Sequence, residues 1–415
     1  MRRRRLIRKL VAAPAVALVL AVGASLLSSP AAAAGDRVVI WAEPTVAPLV
    51  EQELSDGFRG ASVVVVAKDL KAIKDELKTA SGPDAPDIIW ADHAWTGELA
   101  AAGLVTAIPM SSRLRKAFPV NVLEGFNYGF GTYGIPVQYE NVALISNAEM
   151  VPKNPKDFTA LAKAARKLVD NGDADVGIAV GQGANGNAYF MNPFFAGLGG
   201  YVFGTNAAGS LDAFNIGIAN PTFLGNAEMI DRWNQEGLLN STLDLNAAQS
   251  AFTSGRAPFW ITGQWSRATL TGLTFRYRIS PVPTIVKGQV PAPFLGVKGF
   301  MVTSYAQQHQ VSGLAVGILR KRLTDPAFQS QVAALSGRAP ANLKSSIDTS
   351  SLLGRISQAF AVSGRQGIPL PNIPQAASTW GPMGKAWASA TRGPGSVPAY
   401  TAFTEAQATV QQALG

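Results

Sequence analysis

Short apolar runs alternate with longer amphipathic stretches from residue 38 onward. Residues 38–41, 62–66 and 87–90 are four- or five-residue segments rich in Val, Ile and Trp, the composition of buried strands. Between the first two, Val50, Leu54 and Phe58 recur every four residues and predict a helix over 48–58. Between the second and third, Leu70, Ile73 and Leu77 line one face of a helix over 70–80. Its other face carries Lys71, Lys74, Asp75 and Lys78. The breaker Gly82-Pro83-Asp84-Ala85-Pro86 ends it. Repeated strand–helix–strand order predicts a mainly parallel sheet with helices on both faces. Ligands of such sheets gather beyond the C-terminal strand ends, which places Glu43, Asp92, His93 and Trp95 near any cleft. Further strands are expected at 133–138 and 142–145, with a helix from Pro155. Proline pairs at 281–283 and 291–293 punctuate the approach to Phe294, and 345–415 reads as mainly helical.

The N-terminus follows another pattern. Arg2 to Arg5 open a basic region, 10–27 is apolar, and Pro30-Ala31-Ala32-Ala33-Ala34 offers small residues for cleavage. Residues 1–34 are therefore expected to be an export signal, with the mature chain starting near Gly35. This changes the charge balance. The segment holds six basic residues and no acidic one, which leaves 30 Lys plus Arg against 27 Asp plus Glu. A mature charge near +3 gives no support to nucleic-acid binding. The chain has no cysteine, so neither disulfides nor a lipid-bearing cysteine are expected. With two histidines besides, a metal site is not expected, nor is a cofactor. About 380 mature residues exceed one ordinary core and imply two lobes.

The most distinctive motif is Leu370-Pro371-Asn372-Ile373-Pro374-Gln375, with Trp380 after it. Two prolines fix the backbone of a loop that feeds an aromatic-bearing helix, and such a platform can stack on a sugar ring. The segment resembles the Pro-Asn-Ile-Pro-Gln…Trp stretch of the bacterial maltose-binding protein family, the extracellular solute-binding components of ABC sugar importers. The resemblance recurs along the chain. Residues 251–257 followed by Trp260-Ile261-Thr262-Gly263-Gln264-Trp265 match the family's helix, glycine turn, strand and loop, which puts Trp265 at a sugar-stacking position. Tyr189-Phe190, ahead of Pro193 and residues 199–203, align with a sugar-contacting Tyr-Phe pair. The polar lining differs. Ala91, Ala94-Trp95 and Thr45-Val46 stand where the family places polar or aromatic sugar contacts, and Gln138 replaces a glutamate beside Tyr139 and Glu140. Glu43, Asp92, Trp95 and Glu140 are the candidate replacements. Arg338, in the loop 336–342, is a candidate to fork onto vicinal hydroxyls.

The resemblance implies an α/β fold of the two-lobed periplasmic-binding-protein type (type II), with hinge crossovers between lobes. The expected division is 35–140 and 294–344 for the first lobe, and 141–293 and 345–415 for the second. The implied function is capture of a di- or oligosaccharide by a monomeric exported receptor, with delivery to ABC permease subunits and no catalysis. Two alternatives stay open on the residues. A carbohydrate hydrolase would need two carboxylates facing one bond, and Glu43, Asp92 and Glu140 are the available set. A polyamine receptor would use the same carboxylates with the aromatics. Other motifs fail: the glycine-rich 181–187 lacks the Gly-Lys-Ser/Thr of a phosphate loop and reads as a loop framing the cleft.

Overall fold

The computed structural model describes residues 36–415 except residue 208, and they form one compact unit. The expected export signal lies outside the described residues. In chain order come β1 (Arg37–Ala42), β2 (Ser62–Ala67), β3 (Ile88–Asp92) and β4 (Gly134–Glu140). After Asn141 follow β5 (Val142–Asn147), β6 (Ile178–Val180), β7 (Phe259–Gly263) and β8 (Tyr277–Ser280). The chain closes with β9 (Phe294–Val302), β10 (Ala339–Pro340) and β11 (Ile368–Pro369). Two sheets result. The first has the order β10-β4-β9-β3-β1-β2, with β11 also on β9, and the second has the order β8-β5-β7-β6.

Both sheets are mixed rather than mainly parallel. β1 pairs in parallel with β2 and β3, as the strand–helix–strand reading requires. β9, which returns from the second sheet, runs antiparallel to both β3 and β4, and β5 runs antiparallel to β7 and β8. The cause is topological. A strand that enters from the other sheet needs no right-handed crossover helix, so its direction is free to reverse.

Packing follows side-chain alternation. Val142 and Leu144 of β5 join Phe259 and Ile261 of β7 in one apolar cluster with Phe194, Trp387 and Phe403. Ala143, Ile145 and Trp260 point to the other face and pack on Phe252, Ile356 and Phe360. The first sheet has its own core, with Trp90 edge-on to Phe300 at 5.0 Å between centroids. Element bounds differ from the expectation where backbone geometry intervenes. The first helix spans Ala47–Glu53, short of Phe58. Gly57 has φ +70°, and a Cβ there would lie 2.4 Å from the Ala61 carbonyl oxygen, so the chain must turn before Phe58. The second helix spans Leu70–Leu77.

Three segments cross between the sheets. Asn141 joins β4 to β5, and its N–H donates to the buried Gln264 Oε1 at 3.0 Å. Residues 281–293 join β8 to β9. Residues 365–373 pass along β9 through β11 and into the helices Trp380–Ala390 and Ala399–Leu414 on the second sheet. No described helix is long and apolar enough to cross a membrane.

Candidate functional site

A row of polar side chains ends the first sheet. Lys298 of β9 lies opposite Asp92 of β3 on one side and Gln138 of β4 on the other, so the three share one face. Lys298 Nζ is 3.7 Å from Glu43 Oε2. One step along β4, Glu140 forms an ion pair with Arg338. The Ser336 hydroxyl donates to Gln138 Oε1 at 2.6 Å and accepts from the Arg338 N–H at 3.2 Å, which ties the 336–338 loop to the row. Gln138 is fully buried, and its Nε2 has no partner. Tyr139 projects from the opposite face of β4 against Gly364, so the structure separates it from Gln138 and Glu140. Burial raises its phenol pKa, partly offset by Arg365.

Asp92 closes the turn that follows β3 by accepting the Ala94 N–H at 3.0 Å. Burial pushes its carboxyl up, but the His93 ring, the Ala94 N–H and the Lys298 ammonium outweigh that and hold it below the ordinary aspartate value. His93 is fully buried, and its Nδ1 faces Asp92 Oδ1 at 3.2 Å and the Val297 N–H at 3.0 Å. One nitrogen cannot accept from Val297 and donate to Asp92 together. The Ala94 N–H and Lys298 therefore stabilise the carboxylate in either tautomer. His93 lies beneath the site as support.

The second sheet contributes rings. The helix Ala188–Gly197 starts at Asn187, whose side chain accepts the Phe190 N–H at 3.3 Å, and this cap sets Tyr189 and Phe190 on the first turn. Trp265 follows β7 in a tight turn and stays 46 % exposed. Its ring lies over Gly263, where a Cβ would approach it to 2.3 Å. The Trp265 centroid is 5.6 Å from Phe190 and 6.2 Å from Tyr189. Tyr189 stacks on Phe294 at 6.2 Å, and Phe294 meets Trp380 edge-on at 5.6 Å. Five rings thus form a continuous wall, with Phe294, the first residue of β9, as a buried link that the sequence analysis did not place in the site.

The wall and the row meet at Tyr189. Its hydroxyl is sealed from solvent and has no hydrogen-bond partner, although the residue as a whole is only half-buried. Burial raises the phenol pKa well above its ordinary value, and the Glu140 and Asp92 carboxylates push the same way against Arg338. A cavity of about 450 Å3 opens beside Tyr189, lined by Trp95, Tyr189, Leu370, Pro371, Pro374 and Trp380, with Lys74 and Glu98 among its polar residues. The turn that follows Asp92 carries Ala94 and Trp95 to this same cavity. Trp265 and Phe190 adjoin the cavity through Tyr189 but are not among its lining residues; nor are Glu43, Asp92, Gln138, Glu140 and Arg338. A second cavity of about 430 Å3 at the outer edge of β2 has no aromatic lining and lies among other residues. Among the described residues no group of three His, Asp or Glu side chains could hold a metal.

Two further residues complete the picture. Lys298 sits at the centre of the polar row. Asn372, within the proline motif, donates from Nδ2 to Gly125 O and Asn127 O at 2.7 Å each and accepts the Gly97 N–H at 2.8 Å. Its neighbours Ile373 and Ala376 pack into the second-sheet core. The motif is thus a joint between the sheets as well as the approach to Trp380.

A profile of the bacterial extracellular solute-binding proteins matches residues 61–312, more than half of the chain. The chain belongs to this family. The Bacillus subtilis maltodextrin-binding protein MdxE is 25 % identical over 87 % of both chains. The maltotriose-binding protein of Pyrococcus abyssi is 27 % identical over 83 % of this chain and 75 % of its own. Among solved structures, the extracellular solute-binding protein of Staphylococcus aureus in complex with maltose superimposes with a TM-score of 0.80. It is 22 % identical and covers 91 % of this chain and 98 % of its own. A cyclo/maltodextrin-binding protein complexed with maltotetraose gives a TM-score of 0.79 at the same identity, over 91 % and 97 % of the two chains. These likenesses show that this solute-binding protein has the two-lobed periplasmic-binding fold.

Proposed function

We propose that this solute-binding protein captures a neutral, maltodextrin-like di- or oligosaccharide between the aromatic wall and the polar row and delivers it to an ABC permease. The observation that carries the reading is a wall of five linked rings whose Tyr189 and Trp380 share a cavity with Ala94 and Trp95, from the turn that follows Asp92 of the polar row. A sugar ring offers an apolar C–H face to the first and hydroxyls to the second. The names and ligands of the relatives point to the same substrate class. On this reading Trp265, Trp380, Tyr189, Phe190 and Trp95 pack on sugar faces. Glu43, Asp92, Glu140 and Arg338 take hydroxyls, while Gln138 supports them from beneath. Residues 35–140 with 294–344, and 141–293 with 345–415, act as the two closing lobes of a monomer.

The charge pairing supports binding over hydrolysis. A glycosidase acid needs a raised pKa, whereas Asp92 is held low, and Glu43 and Glu140 each face a cation. The same pairing leaves little uncompensated negative charge for a polyamine. Calorimetric titration with maltose, maltotriose, maltotetraose, a galactooligosaccharide and spermidine, followed by chromatography of the sugars, tests the proposal. Saturable binding of an intact maltooligosaccharide supports it. Binding of spermidine alone, or release of shorter sugars, overturns it.

A further inference from the structure

Lys298 interrupts the most buried strand of the first sheet. Every other residue of β9 is buried, and only 12 % of the Lys298 side chain is exposed. An ammonium in such a place needs partners to offset its lost hydration. The partner nearest to it is Glu43, at 3.7 Å, well beyond the roughly 2.7–2.9 Å of a charge-assisted hydrogen bond. An ammonium has three donors, so this loose pairing leaves Nζ with hydrogen-bonding capacity. Asp92 flanks it on β3 and Gln138 on β4, and the Gln138 Nε2 is also unspent. Sheet register thus aligns carboxylate, ammonium and amide side by side, and the turn that follows Asp92 puts Ala94 and Trp95 into the cavity that Tyr189 and Trp380 line.

Two neighbouring hydroxyls match such a row. Each can accept from the ammonium and donate to a carboxylate, whereas a lone hydroxyl satisfies one group and leaves others desolvated. We propose that Lys298 is a ligand-binding residue whose ammonium, between Glu43 and Asp92, reads a vicinal hydroxyl pair on the sugar ring nearest the first sheet. This inference rests on the sugar-receptor reading above.

The test is calorimetric titration of the full mature chain with maltotriose, beside apo melting, for the wild type, Lys298→Met, Lys298→Gln and Trp265→Ala. A loss of affinity of about tenfold or more in Lys298→Met, with an unchanged apo midpoint, is the expected result. Lys298→Gln should lose affinity in the same way, and it decides the matter if the Met variant does not fold. Unchanged affinity in the folded Lys298 variants, while Trp265→Ala is weakened, overturns the inference and leaves the sugar reading standing. A drop in apo stability with full affinity retained makes Lys298 a structural partner of Glu43 and overturns it too. Failure of the folded wild type to bind any of the tested sugars overturns both.

Discussion

The two candidate tryptophan platforms differ in how much of the fold they hold up. Trp265 is nearly half exposed, so its indole is available for stacking and contributes little packing. Trp265→Ala should lower sugar affinity by about tenfold or more, roughly 1.4 kcal/mol, while the apo melting midpoint stays in place. Trp380 is partly buried against Phe294 and the second-sheet core. Trp380→Ala should lower affinity and also cost part of the roughly 3–5 kcal/mol that truncating a fully buried indole costs. Trp387, fully buried on the same helix, is the internal standard for that full cost. Calorimetry beside urea unfolding of the three variants checks the ordering, and equal stability losses in Trp265→Ala and Trp387→Ala would remove Trp265 from the site. Asp92 gives a pH-dependent prediction. Its folded pKa lies below the ordinary 3.8, so its stabilising contribution is complete above that value and is lost as pH falls through the folded one. The stability gap between wild type and Asp92→Asn should therefore be constant near neutrality and shrink below about pH 4. A gap that widens on acidification, measured by urea titration across that range, contradicts the assignment.

At the scale of elements, the proline motif is the joint that can be tested in isolation. Asn372 satisfies two carbonyl oxygens of the first-sheet side, at Gly125 and Asn127, while its neighbour Ile373 is packed in the second-sheet core. Asn372→Ala removes a 2.7 Å hydrogen bond from each carbonyl, leaves Gly125 O with the Thr96 hydroxyl at 3.3 Å, and should destabilise the protein by about 1–3 kcal/mol, read from the urea midpoint. An unchanged midpoint would mean that water replaces the amide at no cost. Asn372 also shows where sequence reading stops. The motif and its tryptophan were legible because prolines and an aromatic are local signals. The partner of Asn372 was not, because it lies 247 residues away along the chain. Strands β1 to β3 were found to within two residues because an unbroken β-branched run has few other readings. The first helix was read five residues too long, since heptad-like spacing cannot register the left-handed turn at Gly57. Lys298 was overlooked for a related reason. Between Val297 and Gly299 it reads as one polar residue in a strand, and only the pairing of β9 with β3 and β4 reveals the row. Tyr139 was grouped with Gln138 and Glu140 by adjacency, though strand alternation sends it to the other face.

At the scale of the molecule, the site belongs to neither sheet alone. Trp265 and Tyr189 belong to the second sheet's side, Asp92 ends β3 and Lys298 lies mid-way along β9 of the first, and the crossovers at Asn141, 281–293 and Asn372 run between them. A ligand that touches both walls is linked to the folding of both. At a concentration of 100 times its dissociation constant it should stabilise the native chain by about 2.7 kcal/mol. The linkage also has a shape. Because contacts come from both sheets, loss of either one releases the ligand, so binding should move the entire urea transition and not a fraction of its amplitude. Trp fluorescence and far-UV circular dichroism, recorded with and without saturating maltotriose, read the two cores with different weights. Trp90 lies in the first core and Trp387 in the second, among eight tryptophans in all, so the difference between the wild type and each Trp→Phe variant isolates that residue's fluorescence contribution. Coincident shifts in every probe are the expected outcome. A ligand shift confined to the Trp387 signal would place the whole binding site on the second sheet, and the polar row of Glu43, Asp92 and Lys298 would then need another purpose.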